Sequence, residues 1–258
     1  MFEFADLTFW DVAPFIAVGF VAQMVDGALG MAFGVISQTL LVSVLGVPPA
    51  TASASVHLVE VFTTGTSGAS HIWHRNIDWA LFRRLAPFGM LGGVAGAYLL
   101  SNVDASAARP FIMLYLTGIG VYLLVKAIRM SEPTFEDPKV TRPLAVAGGF
   151  LDAAGGGGWG PVVTSNLLVQ GGDPRKIIGT VNTSEFLLTL SISIAFVATL
   201  GLAAFTLATV GLIIGGVLAA PLGAVLVKRI RPRALLFAVA AVLIATSVFS
   251  IAKAWPIF

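Results

Sequence analysis

The chain contains no cysteine. That excludes disulfides, thiol catalysis and Cys-ligated metals, and it leaves the redox compartment open. Charge is scarce as well: Asp, Glu, Lys and Arg make up 11% of the 258 residues, against about 25% in a soluble domain. A soluble fold of this size needs far more charge to cover its surface. The net charge of +2 is too small to point to nucleic acid. Apolar residues fill the gap, at 57% against about 45–50% in soluble domains. They fall in recurring runs, several of about 20 residues and so long enough to cross a bilayer. The composition is that of a polytopic membrane protein. The opening residues MFEFADLTFWD carry Glu3, Asp6 and Asp11 and no base. Lacking the positive n-region of a secretory signal, the first apolar segment is expected to be retained.

Apolar runs separated by charge and turn clusters lie near 12–26, 35–46, 51–72, 79–101, 107–129, 143–154, 161–171, 176–199, 203–227 and 233–253. With the N-terminus outside and alternating sides, the inward connections hold Arg75, Arg83, Arg84, Lys126, Arg129, Lys139, Arg142, Arg175, Lys176, Lys228, Arg229, Arg231 and Arg233. Of the 15 Lys and Arg residues only Arg109 and Lys253 fall outside. This bias places both termini on the outer face, the periplasm of a bacterial inner membrane. Trp10, Trp73, Trp79 and Trp255 fall near the interfaces, as aromatic belts do.

The runs 12–26, 35–46, 143–154 and 161–171 are too short to span. At 1.5 Å per residue they reach about 17–22 Å, against roughly 30 Å of hydrocarbon. They pair across glycine clusters, so each pair reads as a re-entrant hairpin with its tip near the midplane. The hairpins also resemble one another. In DGALGMAFGVISQTLL (26–41) and DAAGGGGWGPVVTSNLL (152–168), Asp26 matches Asp152, Phe33 matches Trp159 and Gly34 matches Gly160. The register resumes with Pro49 on Pro174 and Glu60 on Glu185, and LGGVAGA (91–97) matches IGGVLAA (214–220).

The expected fold is therefore all-α and polytopic, with two inverted-topology repeats, each a re-entrant helical hairpin plus three transmembrane helices. Residues 1–130 form the first repeat (hairpin 12–46, helices 51–129). Residues 131–142 form a cytoplasmic connection, and 143–258 the second repeat (hairpin 143–171, helices 176–253). Three spans is an odd number, so the second copy enters from the opposite side, as in secondary transporters.

A turn deep in lipid must satisfy its own N–H and C=O groups. Glycine suits it, tolerating positive φ and letting backbone or ligand come close. A new helix starts beyond each tip, near Val35 and Pro161, and helix N-termini favour anions. Gly34, Gly157, Gly158 and Gly160 are thus candidate anion-binding positions. Gly89, Gly93, Gly96, Gly211 and Gly215 instead suit close helix packing. GGGGWG formally matches G-x-G-x-x-G, but no βαβ unit surrounds it.

Just past the tips, Ser37, Gln38, Thr39 and Thr164, Ser165, Asn166 offer hydroxyl and amide groups to an oxyanion, or else to neighbouring helices. Glu60 and Glu185 lie near the centres of spans, where an acid costs about 2.5–3.5 kcal/mol; they are expected to be proton-linked coupling residues. His57 and Asn182 precede them by one helical turn and share their face, as further substrate-binding candidates. Asp26 and Asp152 are expected to cap backbone donors at the tips. Trp159 serves as a wall of the site or as plain packing. No catalytic residue, cofactor or metal site is expected.

GGGGWGPVVTSNLL followed by GTVNTSEF, both duplicated, resembles the TauE/SafE sulfite exporter family, grouped with toluenesulfonate-uptake permeases. The likeness covers nearly the whole chain, although DGALGMAFG has Leu29, Met31 and Ala32 where the second copy has glycines. The resemblance implies export of a small anionic substrate across the bilayer, a sulfur oxyanion or organosulfonate such as sulfite or sulfoacetate. Sulfite carries roughly one to two negative charges near neutral pH, and a negative-inside potential expels each charge with about 2.3 kcal/mol per 100 mV. No P-loop occurs, in keeping with a secondary carrier. Glu60 and Glu185 are then either protonated when the anion is bound or exchange protons for it. The alternatives are an anion channel of the same architecture, a carrier for another small anion such as a carboxylate, and an intramembrane enzyme using His57 and Glu60, against which the duplication argues.

Overall fold

The structure, a computed structural model, describes residues 9–29, 32–129, 137–164, 166–167, 170, 173–202 and 207–226, with isolated positions between 237 and 252. Among the described residues every regular element is a helix. In chain order these are α1 (Phe9–Leu29), α2 (Phe33–Thr39, continuing in wider π turns over Leu40–Val44), α3 (Pro49–Trp73) and α4 (Trp79–Asn102). Then come α5 (Ala105–Ile128), α6 (Arg142–Gly155), α7 (Trp159–Thr164, also π-wound), α8 (Pro174–Leu200) and α9 (Leu207–Leu226). The expected span 233–253, and 131–136 of the connection, lie outside the described residues apart from those isolated positions.

The helices follow the apolar runs closely, with one correction. α1 has 21 residues, not the 15 between 12 and 26. At 1.5 Å per residue it reaches about 31 Å, a full hydrocarbon thickness, so the first arm is not half-length. The helix absorbs its polar ends: Asp11 sits in the first turn, where the dipole favours an acid, and Asp26 directs its carboxylate forward onto α2. α6, with 14 residues, does stop short at about 21 Å.

Polarity is turned inside out relative to a soluble protein. Leu91, Tyr98, Phe111, Leu114, Ile194 and Leu218 are exposed, whereas Ser53, Ser55, His57, Glu60, Asp152 and Ser184 are buried. A soluble chain buries the first set and exposes the second. The segments Pro110–Ile128 and Lys176–Leu200 are apolar and long enough to cross a membrane by length and composition alone. α3 and α4 are at least as long as α5, but their hydropathy is diluted by the polar residues α3 turns inward and by Arg83 and Arg84 near the start of α4. Trp10, Trp73 and Trp79 are exposed at helix ends.

α1 runs along α9 and α6 along α4, while α3 packs on α8; α4 also meets α8, and α9 meets α3. Exchanging α1 for α6, α3 for α8 and α4 for α9 maps this set of contacts onto itself. Glycine permits both long interfaces. A Cβ at Gly215 would stand 2.0 Å from the Ile16 carbonyl oxygen, and one at Gly19 2.5 Å from that of Leu212. On the other side, a Cβ at Gly92 would stand 2.1 Å from the Val146 oxygen, and one at Gly149 2.2 Å from that of Gly89. Without hydrophobic driving force in lipid, such backbone proximity supplies the dispersion contact that holds helices together.

Gly215→Val forces α1 and α9 apart and is expected to cost about 1–3 kcal/mol, read as a lower unfolding midpoint of the purified protein in detergent. Gly118→Ala, on an exposed face of α5 where a Cβ meets nothing within 4 Å, is expected to hold or raise the midpoint, by about 0.5–1 kcal/mol.

Candidate functional site

The break between α6 and α7 is held by a single residue. The carbonyl oxygen of Asp152 accepts from Gly156 N at 2.8 Å and Gly157 N at 3.0 Å. Its carboxylate oxygen Oδ1 accepts from Gly158 N at 2.7 Å and Trp159 N at 2.9 Å. Four consecutive amides of a buried turn are thereby satisfied without water, as a non-helical segment in lipid requires. Gly156 and Gly157 take φ values of 76° and 142°, a region that costs any residue with a Cβ. The Tyr115 hydroxyl on α5 donates to the Gly157 carbonyl at 2.9 Å.

The break between α1 and α2 repeats the device. Asp26 Oδ1 accepts from Ala32 N at 2.8 Å and Phe33 N at 3.2 Å, at the same sequence separations as Asp152 from Gly158 and Trp159. The two breaks meet. A Cβ on Gly157 would lie 2.4 Å from Val35 N, and one on Gly156 2.1 Å from Gln38 Cγ. The glycines of the second tip are therefore small because α2 and Tyr115 are already there.

Between the tips lies a cavity of about 10 Å³, the space of roughly one water. Gly34, Gly157, Gly158 and Gly160 border it, together with Asp26, Glu60, Asp152 and Glu185. Residues from both halves of the chain, picked from the sequence for separate reasons, thus share one space. His57 stands directly behind it. Its Nε2 is 3.1 Å from Asp152 Oδ2, and its Nδ1 is 2.7 Å from the Ser53 carbonyl oxygen. One donor atom each from His57, Glu60 and Asp152 lie within 4.8 Å of one another, all three residues buried.

Ser37, Gln38, Thr39 and Thr164 sit in the turns beyond the tips, all completely buried. Ser37 Oγ, Gln38 Oε1, Thr39 Oγ1 and Thr164 Oγ1 have no hydrogen-bond partner among the described residues. An orphaned buried polar atom costs about 1–3 kcal/mol, a cost that a ligand or water would relieve. Gln38 uses its amide nitrogen on Pro49 O at 3.2 Å.

Several placements depart from expectation. The amides of Ala32, Phe33, Gly158 and Trp159 are not open helix ends awaiting an anion, because the two aspartates fill them. Asn182 donates to Ile178 O at 3.0 Å, and Asn166, on the exposed side of its turn, to Val162 O at 2.7 Å. Both amides fold back on their own chain, as short polar side chains in helices do when a carbonyl four residues earlier is in reach. Ser165 lies outside the described residues. Trp159 is packing: its ring lies where a Cβ of Gly89 would come within 2.6 Å, and Nε1 donates to Val181 O at 3.3 Å. Tyr115 and Ser53 were missed by sequence reading. An isolated Tyr in an apolar helix, or a Ser one turn before a His, carries no signal of its own.

With this geometry in place, the comparisons with known proteins are informative. Residues 15–250 match the family described as sulfite exporter TauE/SafE. Over 227 residues the chain is 43% identical to the probable membrane transporter protein YtnM of Bacillus subtilis (strain 168), covering 85% of this chain and 75% of that relative. No solved structure matches.

The tip's dependence on one carboxylate can be tested directly. Asp152→Ala orphans two buried amides at about 1–3 kcal/mol each, whereas Asp152→Asn keeps an acceptor at Oδ1. Unfolding midpoints are expected in the order Ala below Asn below wild type; equal midpoints for Ala and wild type would show that the tip is held by something else.

Proposed function

The chain belongs to the TauE/SafE sulfite exporter family, a family of multi-pass membrane transporters, and on that premise we propose that it is a secondary carrier for a small sulfur oxyanion or organosulfonate, such as sulfite or sulfoacetate. It works outward across a bacterial inner membrane by alternating access. One observation carries the reading: two helix breaks from opposite halves of the chain converge on one polar cavity inside an apolar bundle, with unpartnered hydroxyls in the turns that follow the breaks. Buried polar groups in a membrane protein mark a pathway by default.

The two halves act as inverted repeats, 1–130 and 143–258, joined by the cytoplasmic connection 131–142, with both termini outside. The matched capping at Asp26 and Asp152 and the self-mapping helix contacts support this arrangement. A cavity of about 10 Å³ holds a water but not a four-atom oxyanion. The passenger enters only as the tips separate, which couples binding to the rocking of one repeat against the other. Ser37, Thr39 and Thr164 then supply neutral hydrogen-bond donors to its oxygens. Neutral donors suit a passenger that must leave again.

Removing an orphaned hydroxyl leaves nothing unpaired behind, so Thr39→Val and Thr164→Val are expected to keep or raise the unfolding midpoint. In liposomes loaded with sulfite, sulfoacetate or a carboxylate, wild type should show saturable efflux and counterflow. The two variants should lose flux on the order of tenfold, about 1.4 kcal/mol of passenger binding. Unchanged flux in stable variants would remove the hydroxyls from the site, and flux without counterflow would make the protein a channel.

A further inference from the structure

The cavity poses a chemical problem for an anion. Asp26, Glu60, Asp152 and Glu185 all border it. Hydrogen-bond geometry at Asp152 shows how the conflict is lifted. His57 Nδ1 lies 2.7 Å from the Ser53 carbonyl oxygen, which can only accept, so Nδ1 carries a hydrogen. Ser53 Oγ gives its own hydrogen to Ala153 O at 2.7 Å, so toward His57 Nδ1, 3.3 Å away, it too is an acceptor. The tautomer is therefore fixed by the backbone.

Nε2 stands 3.1 Å from Asp152 Oδ2. With Nδ1 already protonated, two species satisfy this contact: an imidazolium donating to a carboxylate, or a neutral imidazole accepting from a carboxylic acid. Both hold one proton between the residues, and both are neutral as a pair. Without that proton, two acceptors face each other and the pair carries one negative charge.

We propose that His57 and Asp152 together form the proton-binding site of this carrier, loaded with one proton for each anion and moving that proton in the same direction as the anion. The passenger half of this statement rests on the anion-carrier reading above; the proton site does not. The groups facing the pair are Glu60 one turn along α3, Glu185 from α8, Asp26 from the end of α1 and the Tyr115 hydroxyl from α5. None is basic, so among the described residues bordering the cavity only a bound proton offsets a negative passenger.

The proton comes from water on the side to which the cavity opens, adds to the pair as an N–H or O–H bond, and leaves as that bond breaks on the other side. The same carboxylate holds the tip through Gly158 N and Trp159 N, so an unloaded pair pushes against the element that must move. In the second copy the position of His57 is taken by Asn182, whose amide is bonded to its own helix. The carrier accordingly has one such site, not two.

The chain has only three histidines, which makes the pair visible. In an H71Q/H74Q background, ¹⁵N-histidine NMR of the purified protein reports His57 alone. Nδ1 should stay protonated at every pH, while the Nε2 shift changes with pH; Asp152→Asn, which keeps an acceptor for the tip, should abolish that change over the same range. In liposomes, sulfite flux above protein-free vesicles should carry protons in its own direction, and His57→Gln should uncouple or abolish it. A bare Nδ1, a pH-insensitive Nε2, or protons moving against the anion would overturn the proposal. So would stoichiometric Zn²⁺ or Mn²⁺ binding that removes the Nε2 titration, since the pair would then be a metal site. A titrating ring without flux of any tested anion would sink the passenger and leave the proton site standing.

Discussion

A helix cannot be broken inside lipid unless the freed backbone groups find partners within the protein. That constraint is met twice here by the same means, an aspartate placed before the break with its carboxylate turned forward onto the next helix. At the second break Asp152 contributes its carbonyl as well, so one residue closes α6 and opens α7. Much follows from this. The turn must be tight, so it is built of glycine at positive φ. A tight turn leaves room for α2 and Tyr115 to press against it. Trp159, immediately beyond, is then clamped between α4 and α8.

Closing the breaks in this way decides what is left for chemistry. Helix N-termini are natural anion sites, but here a built-in anion, the aspartate carboxylate, already occupies them. In the proposed carrier, recognition would pass to the next turns, where hydroxyls of α2 and α7 are buried without partners among the described residues. It also makes the tip sensitive to the state of its own cap. Asp152 faces the tip with one oxygen and His57 with the other, so in the proposed proton site a change at the imidazole would reach the backbone through this carboxylate. Asp26 shares the capping role, but Asn182, the counterpart of His57, turns its amide to Ile178. In the proposed inverted-repeat carrier, matched caps would thus carry a one-sided device, which suits a cycle whose two faces see different pH and voltage.

The helices, and the four acids that border the cavity, were legible in the sequence, because in lipid a polar residue is rare enough to mean something. Glu60, Glu185, Asp26 and Asp152 stand out against apolar surroundings, and the sequence repeat pairs Asp26 with Asp152 and Glu60 with Glu185. Local rules failed where tertiary context decides. The ends of α1 carry acids that break the apolar run, yet the helix absorbs them, Asp11 in its first turn and Asp26 by bonding forward onto α2. Asn166 and Asn182 were assigned to the site by position, but each had a carbonyl of its own helix closer to hand. His57 and Asp152, 95 residues apart, could be singled out separately but not paired, since nothing in either segment encodes the distance between α3 and α6. The same holds for Tyr115, an ordinary member of an apolar run until α5 brings it to Gly157.

Proton and anion moving together change the energetics that the passenger's charge alone would set. A bare monoanion leaving a negative-inside cell gains about 2.3 kcal/mol per 100 mV. With a proton bound at His57 and Asp152 the loaded carrier moves no net charge for a monoanion, and the potential neither helps nor hinders it. A dianion keeps one uncompensated charge and the corresponding drive. Outward flux of a monoanion would then follow its own concentration gradient against the proton gradient, and would be strongest when the inner face is acidified by the accumulating acid itself. Such a carrier acts as a relief valve: it stays quiet while the anion is dilute, and it opens its full rate when anion and proton build up on the same side.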